Sequence, residues 1–322
     1  MLSTIYRPVK LVIVVFSLIL ILTEVAVRFS GITNFPLYVA NSEIGYIPAP
    51  SQSGVFLRKN SWQFNSKSMG ATEFSPSNGE DTLLIGDSVV LGGNPYRDTD
   101  RLGPQLREIT NELIWPISAG SWALRNELKW LELNPEVVAQ SDKIIFILNT
   151  GDFGSASSWS CETTHPRTRP LWGTMYVFKK YLWNWKKCNQ TPKHLLVPIG
   201  DWKVDLHNFF LSTPAKGKKV EIFLYPEQTE MVGKKDIKIL ESNVTEIVNQ
   251  ALPNVTDLSI WSVGKDSRWR QDFYRDGIHP TVEGTKVLAK IISQPSQQAK
   301  LFDSTEQRVN KETQTLNGIK PK

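Results

Sequence analysis

The chain has 322 residues, of which 40% are hydrophobic and 21% charged, enough to bury one large core or two ordinary ones and too apolar for global disorder. Its formal charge of +5 is spread along the sequence and accompanies no nucleic-acid reader motif, so nucleic acid is not an expected partner. Only two cysteines and four well-separated histidines occur, with no Cys-x-x-Cys pair and no His-Glu-x-x-His helix, so no metal site and no cofactor are expected.

Arg7 and Lys10 precede an apolar run from Leu11 to Leu22 that continues through Glu24 to Val27 and stops at Arg28. Extended from Val9 to Val27, the run approaches the ~20 residues a membrane span needs. A cleavage after Ala26 would place Glu24 where a small side chain is wanted. The favoured reading is therefore an uncleaved signal anchor over residues 1–28, with a cleaved signal as the alternative. The basic side chains before the run leave the body outside the cytoplasm, giving a single-pass protein of the inner (cytoplasmic) membrane with its body on the periplasmic side.

Residues 29–80 are broken by Gly31, Pro36, Gly45, Pro48, Pro50, Gly54, Pro76 and Gly79, and are expected to be a membrane-proximal connector. From Asp81 an α/β rhythm begins. Leu83–Ile85 is a short apolar run ending at Gly86-Asp87-Ser88, as a buried parallel strand ends. Leu102, Leu106, Ile109 and Leu113 repeat at helical spacing. Ile114–Ile117 predicts a second strand, closed by Ser118-Ala119-Gly120. Trp122, Leu128 and Leu131 predict a helix ending before Pro135, and Lys143–Leu148, apolar after its lysine, a central strand ending at Asn149-Thr150-Gly151-Asp152. The rhythm breaks for a Trp-rich insertion, 155–212, which carries Trp159, Trp172, Trp183, Trp185 and Trp202. It resumes with a strand at Val220–Tyr225, a helix carrying Ile237, Leu240, Val244 and Ile247 on one face, a weak strand near Val255–Ile260, the turn Asp276-Gly277-Ile278-His279-Pro280 and a last helix through Ile292.

The expected fold is α/β: a flavodoxin-like three-layer α/β/α domain over 81–293 with a mostly parallel five-stranded sheet, plus the N-terminal transmembrane helix. Residues 294–322 have almost no apolar content and are expected to be a disordered tail.

Ser88 lies where a sheet of this kind collects its ligands, and serine becomes a nucleophile only when a base takes its proton. His279 is the candidate base, with Asp276 three residues earlier to hold its tautomer. Taken singly, Ser88 reads equally as a helix N-cap and His279 as a loop histidine before a helix. Their joint placement, after the first strand and before the last helix, favours catalysis.

Gly86-Asp87-Ser88 together with Asp276-x-x-His279 resembles the SGNH, or GDSL-type, hydrolases over roughly 81–292. The connector passing through Gly45-Tyr46 resembles that of the family's membrane-anchored members. The resemblance implies catalytic Ser88, His279 and Asp276, with an oxyanion hole formed by the Ser88 and Gly120 N–H groups. It further implies a serine-dependent ester hydrolase or acyltransferase, the acyl group being acetyl, acting on a cell-envelope or surface glycan. The partners are then a carbohydrate ester or acyl-donor substrate, and the membrane through the N-terminal helix. Alternatives are a non-catalytic glycan-binding or assembly factor and a lipid esterase.

The third family block, Gly-x-Asn-Asp, is altered here, since Gly151 stands where the family has its Asn. Asn149 reaching in from two residues earlier, the Gly151 backbone, or a residue of the insertion would then complete the hole. Trp159, His165 and Arg167 are candidate substrate contacts, with the insertion's own small core as the alternative role for its aromatics. Cys161 and Cys188 either pair or stay free thiols, depending on compartment.

Overall fold

The computed structural model describes residues 2–77, 80–183, 188, 190–251, 254–255 and 257–306, and side chains from residue 9 onward. Gly79, Trp185, Thr256 within the expected weak strand, and 307–322 of the expected tail lie outside the described residues.

A single helix, α1 (Leu2–Ser30), opens the chain, and Val9–Ser30 within it is long and apolar enough to cross a membrane. None of that window is buried in the protein. The connector then forms two antiparallel hairpins, β1 (Tyr38–Asn41) with β2 (Gly45–Pro48), and β3 (Gln52–Phe56) with β4 (Asn60–Phe64). Gly45 closes the first bend with a φ of +78°, whereas the second turns through Leu57 and Arg58, both at positive φ. The strands themselves are held by tertiary burial, with Tyr46, Ile47, Trp62 and Phe64 all buried.

The central sheet contains β5 (Asp81–Gly86), β6 (Leu113–Ser118), β7 (Lys143–Leu148), β8 (Lys219–Leu224), β9 (Asp257–Ser262) and β10 (Lys300–Asp303). Their spatial order is β10-β9-β8-β7-β5-β6, and every pair is parallel except β10 with β9. Among the five parallel strands this is the 2-1-3-4-5 order of a flavodoxin-like sheet, whose switch point lies between β5 and β7. Leu83, Leu84 and Ile85 are inaccessible to solvent, as a strand covered on both faces requires, and each contributes about 1.5–3 kcal/mol by burial.

The helices are α2 (Ser88–Leu91), α3 (Leu102–Thr110), α4 (Leu124–Leu133), α5 (Pro135–Gln140), α6 (Gly173–Val177), α7 (Trp202–Leu211), α8 (Gln228–Met231), α9 (Lys238–Glu241), α10 (Asn243–Ala251) and α11 (Val282–Ser293), of which α6 packs against α1 rather than the sheet. Two apolar clusters, one on each face, fill the space between layers. The single helix expected around 237–247 is two, α9 and α10.

Two expectations need correction. The sheet has six strands, not five, and residues 294–306 are folded rather than part of a disordered tail. β10 is a short antiparallel edge strand whose polar composition hides it: Lys300 pairs with Asp303 and Glu306 across its own strand and turn, while Leu301 and Phe302 pack against the core. An edge strand faces water on one side, so it needs no apolar run.

Connector, insertion and domain are joined through Asn126 on α4, which is buried. Its amide donates to Ile44 O and Ser157 O at 2.9 Å each, and its carbonyl accepts from the N–H of Ala123 at 3.0 Å and of Ser157 at 2.8 Å. Gly45 meets the insertion so closely that a Cβ there would fall 2.0 Å from Ser157 O, and its φ of +78° is a second reason for glycine.

Candidate functional site

The site lies at the carboxyl edge of β5, β6 and β7. Asp87, the residue after β5, caps the one-turn helix α2: its Oδ1 accepts the Val89 N–H at 2.8 Å. The helix closes at Gly92, whose φ of +71° lets its N–H reach Ser88 O at 2.9 Å. Ser88 therefore begins a helix at a strand end. Its hydroxyl donates to Asp87 Oδ2 at 3.3 Å, and no hydrogen bond links it to His279.

His279 and Asp276 are together. The ring Nδ1 lies 2.9 Å from both Asp276 oxygens, and Asp276 Oδ1 also accepts the His279 N–H at 2.9 Å and the Ile278 N–H at 3.1 Å. The carboxylate contact places the ring proton on Nδ1 and leaves Nε2 as the acceptor. Burial pushes the Asp276 carboxyl up, but its bonds to the backbone N–H groups of His279 and Ile278 and to the imidazole outweigh this, and its pKa lies below the usual value.

The turn carrying this pair is clamped from three sides. Tyr225 Oη donates to Ile278 O at 2.8 Å, Tyr96 Oη donates to Pro280 O, and Gln228 N donates to Gly277 O at 2.9 Å. Thr281 follows as the N-cap of α11, accepting the Gly284 N–H at 3.0 Å. Burial raises the Asp87 pKa, opposed first by the Val89 N–H bond and then by the His279 imidazole.

Asn149 lies two residues before Gly151 in the altered third block. It caps a single 3-10 turn, Thr150–Phe153, with its Oδ1 accepting the Gly151 N–H at 2.8 Å, while its Nδ2 donates to Asp87 Oδ2 at 3.2 Å. The Ser88 hydroxyl and the Asn149 amide thus meet on one carboxylate oxygen. An amide nitrogen carries two hydrogens, so one remains uncommitted among the described residues. The Gly151 N–H is committed to Asn149. Gly120 is different: its N–H has no protein partner among the described residues, and its carbonyl accepts from Tyr46 Oη at 2.7 Å.

His165 sits beside Gly120, tilted by 35° against Tyr46 at 4.0 Å between ring centres and edge-on to Tyr38 at 4.9 Å. Burial drives its pKa down to about 4, against the Gly120 carbonyl, so the ring is neutral and props the Gly120 peptide. Trp159 and Arg167 form a separate unit. The guanidinium lies 3.9 Å above the Trp159 ring and bonds Glu162 Oε1 at 2.8 Å, while Trp159 Nε1 donates to His165 O. Their polar contacts stay within the insertion, while the Trp159 ring belongs to the apolar cluster on one face of the sheet, and no contact among the described residues joins either to Ser88. Cys161 and Cys188 are joined by a disulfide.

The sequence reading missed Glu127. It lies on α4 at zero exposure, and neither carboxyl oxygen has a hydrogen-bond partner. Burial, then the charge of Asp87, raises its pKa well above normal; burial and both those carboxylates do the same to Asp152. Its place between Leu124 and Leu131, on the apolar face of the helix, was the available signal.

A carboxyl whose folded pKa is raised binds its proton more tightly folded than unfolded, so stability falls as pH rises above the ordinary carboxylate range. Glu127→Gln is therefore expected to raise Tm at pH 8 and leave it nearly unchanged at pH 4, where Glu127 is protonated in both states. Thermal melts of the two proteins at the two pH values check this; equal Tm values at pH 8 would refute it.

No protein-family model matches the chain, and no curated protein matches it. Among solved structures it is similar to an acetyl xylan esterase from the rumen bacterium Butyrivibrio proteoclasticus, at 14% identity over 69% of this chain and 65% of that one, TM-score 0.39. The match spans just under two thirds of that esterase's own length. It is also similar to the C-terminal catalytic domain of Streptococcus pneumoniae peptidoglycan O-acetyltransferase A, at 15% identity over 69% and 96% of the two chains, TM-score 0.37. A third similar structure is an acetylxylan esterase from Geobacillus stearothermophilus, at 14% identity over 71% and 100%, TM-score 0.37.

Proposed function

We propose that the chain is a serine-dependent ester hydrolase or acyltransferase of the SGNH type. The observation that carries the reading is the meeting of Ser88 and Asn149 on Asp87 Oδ2, with an imidazole held by Asp276, that of His279, acting on the same Asp87 carboxyl. In the reaction the Ser88 hydroxyl leaves Asp87 by rotating about its Cα–Cβ bond and donates to His279 Nε2. Its oxygen attacks the ester carbonyl carbon while His279 takes the proton. The oxyanion is met by N–H donors from Ser88, Gly120 and Asn149. Collapse releases the alcohol, which takes the proton from His279, and leaves the acyl group on Ser88. Water, or a sugar hydroxyl in transfer, then gives its proton to His279 and attacks this acyl group, and the bond to Ser88 breaks as the serine oxygen takes that proton back from His279.

The acyl group we assign is acetyl and its carrier a cell-envelope or surface glycan, following the motif resemblance. The α1 helix anchors the chain in the inner membrane with the domain on the periplasmic side, following the basic residues before its apolar run.

A second reading has one observation behind it. The serine hydroxyl bonds Asp87 and not His279, as it would in a binding protein with an idle triad. A sulfonyl or organophosphonate fluoride separates the two. Covalent labelling of the full chain at the peptide containing Ser88, found by mass spectrometry and lost in His279→Ala, is expected for the enzyme. An unlabelled Ser88 would leave the binding reading.

A further inference from the structure

The insertion carries an apolar stripe that the catalytic reading does not use. Leu171, Trp172, Met175, Phe178, Leu182 and Trp183 recur at helical spacing, and all are exposed, Leu171 by 88% and Leu182 by 73%. The other face of this segment packs inward, with Tyr176 against Phe35 at 4.9 Å and Lys180 bonded to Tyr176 Oη.

The stripe is fixed to the last two turns of α1. Glu24 Oε1 accepts the Gly173 N–H at 2.9 Å, and its Oε2 accepts the Thr174 N–H at 2.8 Å and the Thr174 hydroxyl at 2.9 Å. Arg28 bonds Glu24 at 2.6 Å and donates to Leu171 O at 2.6 Å. Gly173 lets the two segments touch, since a Cβ there would lie 3.0 Å from Val27 Cγ1. Glu24 is six residues from the end of the apolar window at Ser30, or about 9 Å along the helix at 1.5 Å per residue. A segment bonded at that level cannot stand clear of a bilayer that α1 spans.

We propose that residues 171–183 lie in the interface of the lipid bilayer beside α1, with Leu171, Trp172, Met175, Phe178, Leu182 and Trp183 inserted at the boundary between headgroups and acyl chains. This rests on the reading of α1 as a membrane anchor. An amphipathic segment buries its apolar face ~5–10 Å into that boundary, the depth the Glu24 contacts set. Tryptophan belongs at that level, where its ring is apolar and its N–H still finds a polar partner. Glu24, otherwise expensive near lipid, is neutralised there by Arg28 and by the N–H groups at the start of α6. Two attachments, a helix and a surface segment bonded to it, fix the tilt of the domain over the membrane, where one helix alone would leave it swinging.

Tryptophan fluorescence tests this in a Trp185→Phe background, because α1 contains no Trp and, of the other ten tryptophans, Trp62, Trp115, Trp122, Trp130, Trp159, Trp202, Trp261 and Trp269 are buried, which leaves Trp172 and Trp183. The full chain is reconstituted into phosphatidylcholine–phosphatidylglycerol vesicles brominated near the headgroup end of the acyl chains. Emission is expected to be quenched, most of that quenching to be lost in Trp172→Phe/Trp183→Phe, and Leu171→Glu/Leu182→Glu to weaken it while the protein still floats with the vesicles. Flotation without quenching, or quenching that the Trp double variant retains in full, overturns the interfacial placement and leaves the anchor standing. Flotation without quenching, with chemical cross-links between 171–183 of two chains, assigns the stripe to a second copy and equally overturns it. Failure to float overturns the anchor reading itself.

Discussion

Ser88→Ala is expected to lower kcat/KM for an aryl acetate by about 10⁴-fold or more, with the fold intact. The hydroxyl makes one hydrogen bond, to Asp87 at 3.3 Å, a long contact for an O–H donor and of little structural worth. Its loss should leave the melting temperature close to that of the parent, which separates a chemical from a structural effect. His279→Ala should cost as much as Ser88→Ala, and the double variant no more than either, since the two act as one unit. Asp276→Asn should also fall, because an amide no longer holds the Nδ1 proton toward itself. The Asp276 pKa lies below the usual range, so it is ionised throughout the working pH range and the loss is expected at every pH. Steady-state rates of purified full-length variants are the measurement. Unchanged turnover in Ser88→Ala would end the assignment.

Most of the sheet was legible because its chemistry is one-dimensional. β5, β7 and β8 are buried on both faces, and burial on both faces writes an apolar run into the sequence. What was not legible depends on partners distant in the chain. The hairpins β1–β4 are four or five residues long and stable only because Tyr46 meets Gly120 and His165, and Trp62 donates to Asn34 O. β10 borrows its order from β9. Asn126 looks like any polar residue on a helix until Ile44 and Ser157 arrive from either side. The serine, histidine and aspartate could be named because their spacing follows chain topology. The companionship of Asn149 with Asp87 could not be chosen over the alternatives, since it depends on which way a capping side chain turns. Glu127 went unseen because a single glutamate in a helix ordinarily faces water.

That capping side chain is also the sharpest test of how the site completes its oxyanion hole. Asn149→Ala is expected to lower kcat by about 100- to 1000-fold with KM little changed, as befits a donor whose bond strengthens only when charge develops on the substrate oxygen. It also removes the acceptor that caps the 150–153 turn, and such a cap is worth about 1 kcal/mol. A stability loss of that size is too small to unfold the protein and too small to account for the expected rate loss. Gly151→Ala supplies the contrast. Its Cβ would come 3.0 Å from Asn149 Oδ1, which displaces the side chain by a few tenths of an ångström but leaves its donor hydrogens in place. Its rate should fall far less than that of Asn149→Ala. The opposite ranking would place the donor on the Gly151 backbone and make Asn149 merely the cap. In that case the N–H would have to break its 2.8 Å bond to Asn149 Oδ1 in every turnover, and removing that acceptor should speed the reaction rather than slow it.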